Sequence, residues 1–96
     1  MSKLFQTIGI IGKYSDPRII ETILHLHEFL QEREYAVVVD LKSADLLPLG
    51  SVASCKMDLL GGRCDLIIAI GGDGTFLGAA RATVQYNIPL IGINLG

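Results

Sequence analysis

The 96-residue sequence has no excess of positive charge: eight Lys and Arg face ten Asp and Glu, for a formal net charge of -2. Its basic residues (Lys3, Lys13, Arg18, Arg33, Lys42, Lys56, Arg63 and Arg81) are scattered, so the clustered basic face of a nucleic-acid binder is missing. No apolar run approaches the roughly 20 residues of a membrane-spanning helix. Met1 to Thr7 lacks the basic-then-apolar pattern of a secretory signal. A soluble, cytoplasmic protein with no nucleic-acid or membrane partner is expected. Cysteine is scarce. Cys55 and Cys64 have neither CxxC spacing nor His or Cys partners at zinc-ligand intervals, and in a reducing cytosol they are expected to be free thiols. His25 and His27 lie two apart on an expected helix, about 200° around its axis, so they cannot share a metal from one face. His27 falls on the apolar stripe and His25 off it. No metal-ligating residue is assigned.

What is present is apolar patterning. Half the residues are hydrophobic, enough for the core of one small domain, since domains run from roughly 50 to 250 residues. Thr7–Ile11 reads as a buried strand, and Gly12-Lys13-Tyr14-Ser15 as the loop leaving it. Ser15 or Asp16 offers an N-cap, Pro17 suits the first helical position, and Ile20, Ile23, Leu24, His27 and Leu30 mark a helix from about Asp16 to Glu34. Tyr35–Asp40 is a second strand. From Leu41 to Arg63 the pattern weakens, with at most a short helix from Ser54 to Leu60. Asp65–Ile70 is continuous and apolar, as a strand buried on both faces must be. A helix is expected from Thr75 to about Tyr86 with Leu77, Ala80 and Val84 on one side, then a fourth strand, Pro89–Ile93. Strands joined through helices predict an α/β fold with a doubly wound parallel sheet.

One motif carries chemistry: Gly71-Gly72-Asp73-Gly74-Thr75, between a buried strand and a helix start. Three glycines in four residues let a ligand approach the backbone without Cβ obstruction. The helix start offers unpaired N–H groups and the positive end of a dipole, a site for phosphate. Asp73 would repel a phosphate. It makes sense facing a hydroxyl that must lose its proton, or a metal ion bridging phosphates. Phosphoryl transfer to an alcohol follows from that reading; the bland alternative is a tight turn in which Asp73 merely caps the helix.

The motif resembles the GGDGT signature shared by NAD kinases, lipid kinases and, more loosely, phosphofructokinases. Its flanks, Phe76-Leu77-Gly78-Ala79-Ala80-Arg81 and Ile88-Pro89-Leu90-Ile91-Gly92-Ile93-Asn94-Leu95-Gly96, look like bacterial NAD kinases, as does the opening Ile8-Gly9-Ile10-Ile11-Gly12-Lys13. The resemblance implies phosphorylation of the 2′-hydroxyl of the adenosine ribose of NAD to give NADP. ATP, or polyphosphate in some members, is the implied donor, with a divalent metal ion, Mg being expected. It implies that Asp73 is the catalytic proton acceptor and that Asp73 and Gly74 bind NAD, with Gly71, Gly72, Gly74 and Thr75 forming the phosphate loop. A free aspartate, titrating near about 3.9, is too weak to deprotonate a ribose hydroxyl beforehand. Phosphoryl transfer has a loose transition state, however, so the proton can leave late. Gly78 departs from the pattern, since many members of the family carry Arg there.

The sequence stops at Asn94-Leu95-Gly96, just past the expected fourth strand. Residues 1–96 are therefore expected to be the amino-terminal α/β domain carrying the glycine loop, truncated after that strand and inactive alone. The family's second, β-rich domain would lie beyond Gly96, and the full-length protein would be a homo-oligomer. The alternatives are another GGDGT-type kinase acting on a lipid or sugar phosphate, or a non-enzymatic α/β module. A receiver domain is one such module, but it needs an acidic pair where Gly12-Lys13 stands.

Overall fold

The computed structural model describes residues 4–13, 15–48, 50 and 52–95. Five strands form one parallel sheet: β1 (Thr7–Gly12), β2 (Ala36–Asp40), β3 (Ser54–Cys55), β4 (Leu66–Gly71) and β5 (Leu90–Asn94), in the spatial order β3-β2-β1-β4-β5. The connections carry α1 (Pro17–Glu32), α2 (Leu41–Ala44), α3 (Met57–Leu60) and α4 (Asp73–Thr83), which runs on into a single 3-10 turn, Val84–Tyr86. In β1, Ile8 stands opposite Val37 on one side and Leu66 on the other. The expected doubly wound sheet is the one observed. Among the described residues, no helix is long and apolar enough to cross a membrane.

Because side chains alternate along a strand, a sheet covered on both faces needs apolar residues at every position. Strand β4 supplies them. Leu66, Ile68 and Ile70 join Ile8, Ile10, Val37 and Val39 beneath Ile19, Ile23 and Leu30 of α1. Ile67 and Ala69 face the other way, packing with Ile11, Val38, Cys64, Leu60 of α3 and Ala79 of α4.

Helix α1 starts where Asp16 caps it, its carboxylate accepting the Arg18 N–H at 3.0 Å, with Pro17 in the first turn. Its buried stripe is Ile19, Ile23, His27 and Leu30; the expected Ile20 and Leu24 sit at its margin, half-buried. His27 is buried and His25 exposed, as the stripe required. Asp65, expected inside a strand, stands just before β4 and accepts the N–H groups of Gln6 and Thr7, pinning the start of β1.

Three expectations are corrected. Among the described residues there are five strands, because Ser54–Cys55, expected within a short helix, pairs with Val39 and Asp40 of β2. A two-residue edge strand carries no periodicity of its own. Within the weakly patterned segment, Leu41–Ala44 forms one helical turn because Asp40 caps it, and the later helix begins only at Met57. Helix α4 starts at Asp73, two residues before Thr75, and buries Ala79 and Thr83. Leu77 and Val84 are instead 57% and 75% exposed. Small residues won the inward face because they let the helix approach β4 closely, and the Thr83 hydroxyl donates back to the Ala79 carbonyl at 2.8 Å.

The buried carboxylate of Asp40 ties two elements together. Its Oδ2 accepts the Gly12 N–H at 3.0 Å and its Oδ1 the Ser43 N–H at 3.0 Å, so the end of β1 and the start of α2 share one side chain. Replacing Asp40 with Ala removes an N-cap and leaves the buried Gly12 N–H unpaired, an expected loss of about 2–4 kcal/mol in urea unfolding. A change below about 0.5 kcal/mol would contradict the arrangement. The buried imidazole of His27 has its proton affinity lowered from the ordinary 6.5 by desolvation. The unfolded chain therefore takes up this proton first, and the contribution of neutral His27 is complete above 6.5 and falls as pH drops below it. His27→Leu is expected to flatten the stability profile between about pH 7 and pH 5, and an unchanged slope would refute this.

Candidate functional site

All strands of a parallel sheet end on one edge, and a ligand crevice opens there where the strand order reverses. Here that point lies between β1, whose other neighbour is β2, and β4, whose other neighbour is β5. The two strand ends are bonded past the sheet: the Lys13 N–H donates to the Ile70 carbonyl at 3.1 Å. From the other side the Leu95 N–H donates to the Gly71 carbonyl at 3.2 Å.

The three glycines of the loop do different jobs. A Cβ on Gly71 would lie 2.7 Å from Thr75 Oγ1 and 3.2 Å from the Lys13 Cβ, so only glycine lets the first turn of α4 close over the end of β4. Around Gly72 and Gly74 a Cβ would meet nothing within 4 Å. No protein packing requires glycine there, and the backbone faces open space. Gly72 is the N-cap, with extended φ -110° and ψ -166°, and no side chain caps the helix. The Phe76 N–H donates to the Gly72 carbonyl at 3.1 Å to close the turn. Asp73 is thus the first helical residue, not its cap, and its carboxylate is exposed.

Asp73 lines one space and Thr75 another. A hollow of about 310 Å³ lies between Asp73, Gly71, Gly72, Phe76, Gly92 and Asn94. Phe76 is seated against β5, where a Cβ on Gly92 would fall 2.6 Å from its ring. On the other side, Gly74 and Thr75 form part of a cleft of about 620 Å³ that runs to Met57 and Leu41 and does not include Asp73. Behind the loop, a cavity of about 80 Å³ is bounded by Lys13, Asp16, Arg18, Gly71, Gly72 and Leu95. Arg18 pairs with Asp16 at 2.8 Å and donates to the Leu95 carbonyl at 3.1 Å. The hydrogen bonds from Arg18 hold the Asp16 carboxyl below its usual range.

The sequence thus assembles Gly71, Gly72, Asp73, Gly74 and Thr75 at the mouth of the crevice. It gave Lys13, Arg18 and Asn94 no role. Lys13 was within reach: it follows the first strand, which must neighbour the strand before the glycine loop if the sheet reverses order between them. Arg18 and Asn94 are recruited by tertiary contact alone. The thiols lie elsewhere. Cys64 is buried on the α3–α4 face of the sheet, where desolvation pushes it up to about 11, and Cys55 packs beside that cluster. Both are free. Among the described residues no group of three or more His, Cys, Asp or Glu side chains is arranged to hold a metal ion.

A family model described as the ATP-NAD kinase N-terminal domain matches residues 8–96. Similar curated proteins include the NAD kinase of Marinomonas sp. (strain MWYL1), 45% identical over 93 residues that make up 97% of this chain and 32% of that protein. The NAD kinase of Pseudomonas putida (strain W619) is 45% identical over 96% of this chain and 31% of its own length. That of Pseudomonas fluorescens (strain SBW25) is 40% identical over the same shares. The chain spans about a third of the length of the curated relatives it matches.

The glycines separate by experiment. Gly71→Ala, driven against Thr75, is expected to cost about 1–3 kcal/mol in unfolding free energy. Gly78→Ala, whose Cβ would meet nothing within 4 Å, is expected to be neutral or stabilising by up to about 1 kcal/mol. Equal effects at the two positions would contradict the packing described.

Proposed function

The chain belongs to the ATP-NAD kinase N-terminal domain family, and from that premise we propose that the complete protein transfers a phosphoryl group from ATP to the 2′-hydroxyl of the adenosine ribose of NAD, forming NADP. The observation that carries this reading is the position of Asp73: an exposed carboxylate on the first residue of α4, free of any capping duty, beside Gly72 and Gly74, where an added Cβ would meet no protein atom within 4 Å.

In this reading the acceptor ribose enters the hollow beside Asp73. The carboxylate accepts a hydrogen bond from the 2′-hydroxyl, orients its oxygen, and takes the proton as the new O–P bond forms and the bond from the terminal phosphorus of ATP to its bridging oxygen breaks, releasing ADP. Gly72, Gly74 and Thr75 present backbone N–H groups and a hydroxyl to the transferring phosphoryl group, whose charge spreads over its outer oxygens in a loose transition state. Glycine at 72 and 74 keeps that approach clear. A divalent ion fits a site with few carboxylates, since Mg is commonly held by one or two carboxylates together with substrate phosphates. Asp73 would be the carboxylate of the loop available to such an ion, which would supply charge neutralisation on the phosphates. Residues 1–96 act as the amino-terminal α/β domain of a cytoplasmic, homo-oligomeric enzyme, the β-rich remainder completing the NAD pocket.

Asp73→Asn in the complete protein separates catalysis from structure. Asn keeps the size and one acceptor oxygen but cannot take a proton, and at this exposed first-turn position the lost charge should lower stability by no more than about 1 kcal/mol. Loss of general-base assistance lowers kcat by about 10² to 10⁴, with NAD binding by calorimetry retained. Near-normal turnover in this variant would remove Asp73 from the chemistry.

A further inference from the structure

Helix α3 is a single turn, Met57–Leu60, too short to be stable by itself. Its start at Lys56 has no side-chain cap. Leu60 anchors it in the core, and a second hold comes from 28 residues away, where the Tyr86 hydroxyl donates to the Asp58 carbonyl at 3.1 Å. The Tyr86 ring lies against the backbone that follows the turn. A Cβ added to Gly61 would fall on the ring, 2.7 Å from Cγ, and one added to Gly62 would lie 3.3 Å from Cε1. Gly61 has φ -61° and ψ -26°, right-handed helical backbone open to any residue. Its conformation does not call for glycine; the ring does.

The cleft of about 620 Å³ runs between this turn and α4: Met57 and Asp58 stand on one wall, Gly74, Thr75 and Gly78 on the other. Tyr86 belongs to the 3-10 turn that continues α4, so one side chain joins the two walls. We propose that Tyr86 is a positioning residue of the site: by pinning α3 to the end of α4 it sets the width of the cleft from which a substrate reaches Gly74 and Thr75. The kinetic consequence rests on the kinase reading.

The action is indirect. Tyr86 does not line the cleft, and it stands roughly 20 Å along the helix axis from Asp73, at about 1.5 Å per residue. Its contacts with α3 are to main chain, the Gly61-Gly62 backbone and the Asp58 carbonyl. It therefore holds the turn as a unit, and Met57 and Asp58 are carried with it. Leu60 anchors the turn at one point, which alone leaves it free to pivot toward or away from α4. The ring and the hydroxyl supply two more, and three points fix an orientation. Loosening them changes the cleft without moving the glycine loop, which is held by the Gly71–Thr75 contact and the Lys13 and Leu95 N–H groups. Binding is expected to suffer and the chemical step to be spared.

The test uses the complete protein and steady-state kinetics in which ATP and NAD are varied in turn. Tyr86→Ala is expected to raise KM for at least one of them by about fivefold or more while kcat stays within about twofold, the mark of lost binding rather than lost catalysis. Tyr86→Phe keeps the ring on the glycines and is expected to restore most of the affinity. Gly61→Ala, driven against the ring, should raise the same KM, yet add less than about twofold in a Tyr86→Ala background, where its Cβ has room. Both KM values unmoved in Tyr86→Ala, or a fall in kcat as large as the rise in KM, would overturn the assignment. Should Tyr86→Ala not fold, Tyr86→Leu and Gly61→Ala are held to the same split. Hydrogen exchange reads the latch without substrate. In Tyr86→Ala the Gly62, Arg63 and Cys64 amides, which donate to the Leu59 and Leu60 carbonyls, are expected to exchange about tenfold faster or more, with β4 unaffected. Unchanged exchange would also overturn it. Absence of NADP formation by the wild-type protein defeats the kinase reading alone, and the exchange result then still judges the latch.

Discussion

Where β4 ends, its last residue and the first turn of α4 occupy nearly the same space. Thr75 stands where a side chain on residue 71 would be, and this contact sets the rest of the site. It brings the helix start down onto the sheet edge, so that Gly72 becomes the cap and Asp73 the first helical residue. The backbone on either side is then locked by the Lys13 and Leu95 N–H groups. A bulkier residue at 71 would lift the helix, and Asp73 with it. The division of the crevice into a hollow and a cleft would be lost as well.

A second constraint supports the first from the neighbouring strand. Asp40 is buried, and its two oxygens accept backbone N–H groups from β1 and α2. Pairing a buried carboxylate with backbone donors satisfies it without a counter-charge. The effect is to hold the end of β1, and hence Lys13, at a fixed height beside the glycine loop. The floor of the site is therefore built from main chain and two well-placed carboxylates, one structural and one exposed.

Much of this was legible in the sequence because it rests on local rules. The run Leu66–Ile70 could only be a strand buried on both faces, and glycines followed by a helical pattern mark a strand-to-helix turn. The Pro17 and Asp16 pair marked the start of α1. The unreadable parts have a common cause, dependence on a partner. Ser54–Cys55 is a strand only because β2 lies beside it. The inward face of α4 departs from its hydrophobic pattern because hydrophobicity favours Leu77 and Val84, whereas close approach to β4 favours Ala79 and Thr83. Arg18 reaches Leu95 across 77 residues, a contact no spacing rule anticipates. The glycine loop was visible as a motif, but only the structure separates Gly71, required by packing, from Gly72 and Gly74, which packing does not need.

The most direct test of the account is a crystal structure of the complete protein with NAD bound. The adenosine ribose is expected in the hollow, its 2′-oxygen within hydrogen-bonding distance of the Asp73 carboxylate and clear of the Met57–Gly78 cleft. A ribose seated in that cleft, or a 2′-oxygen out of reach of Asp73, would contradict it.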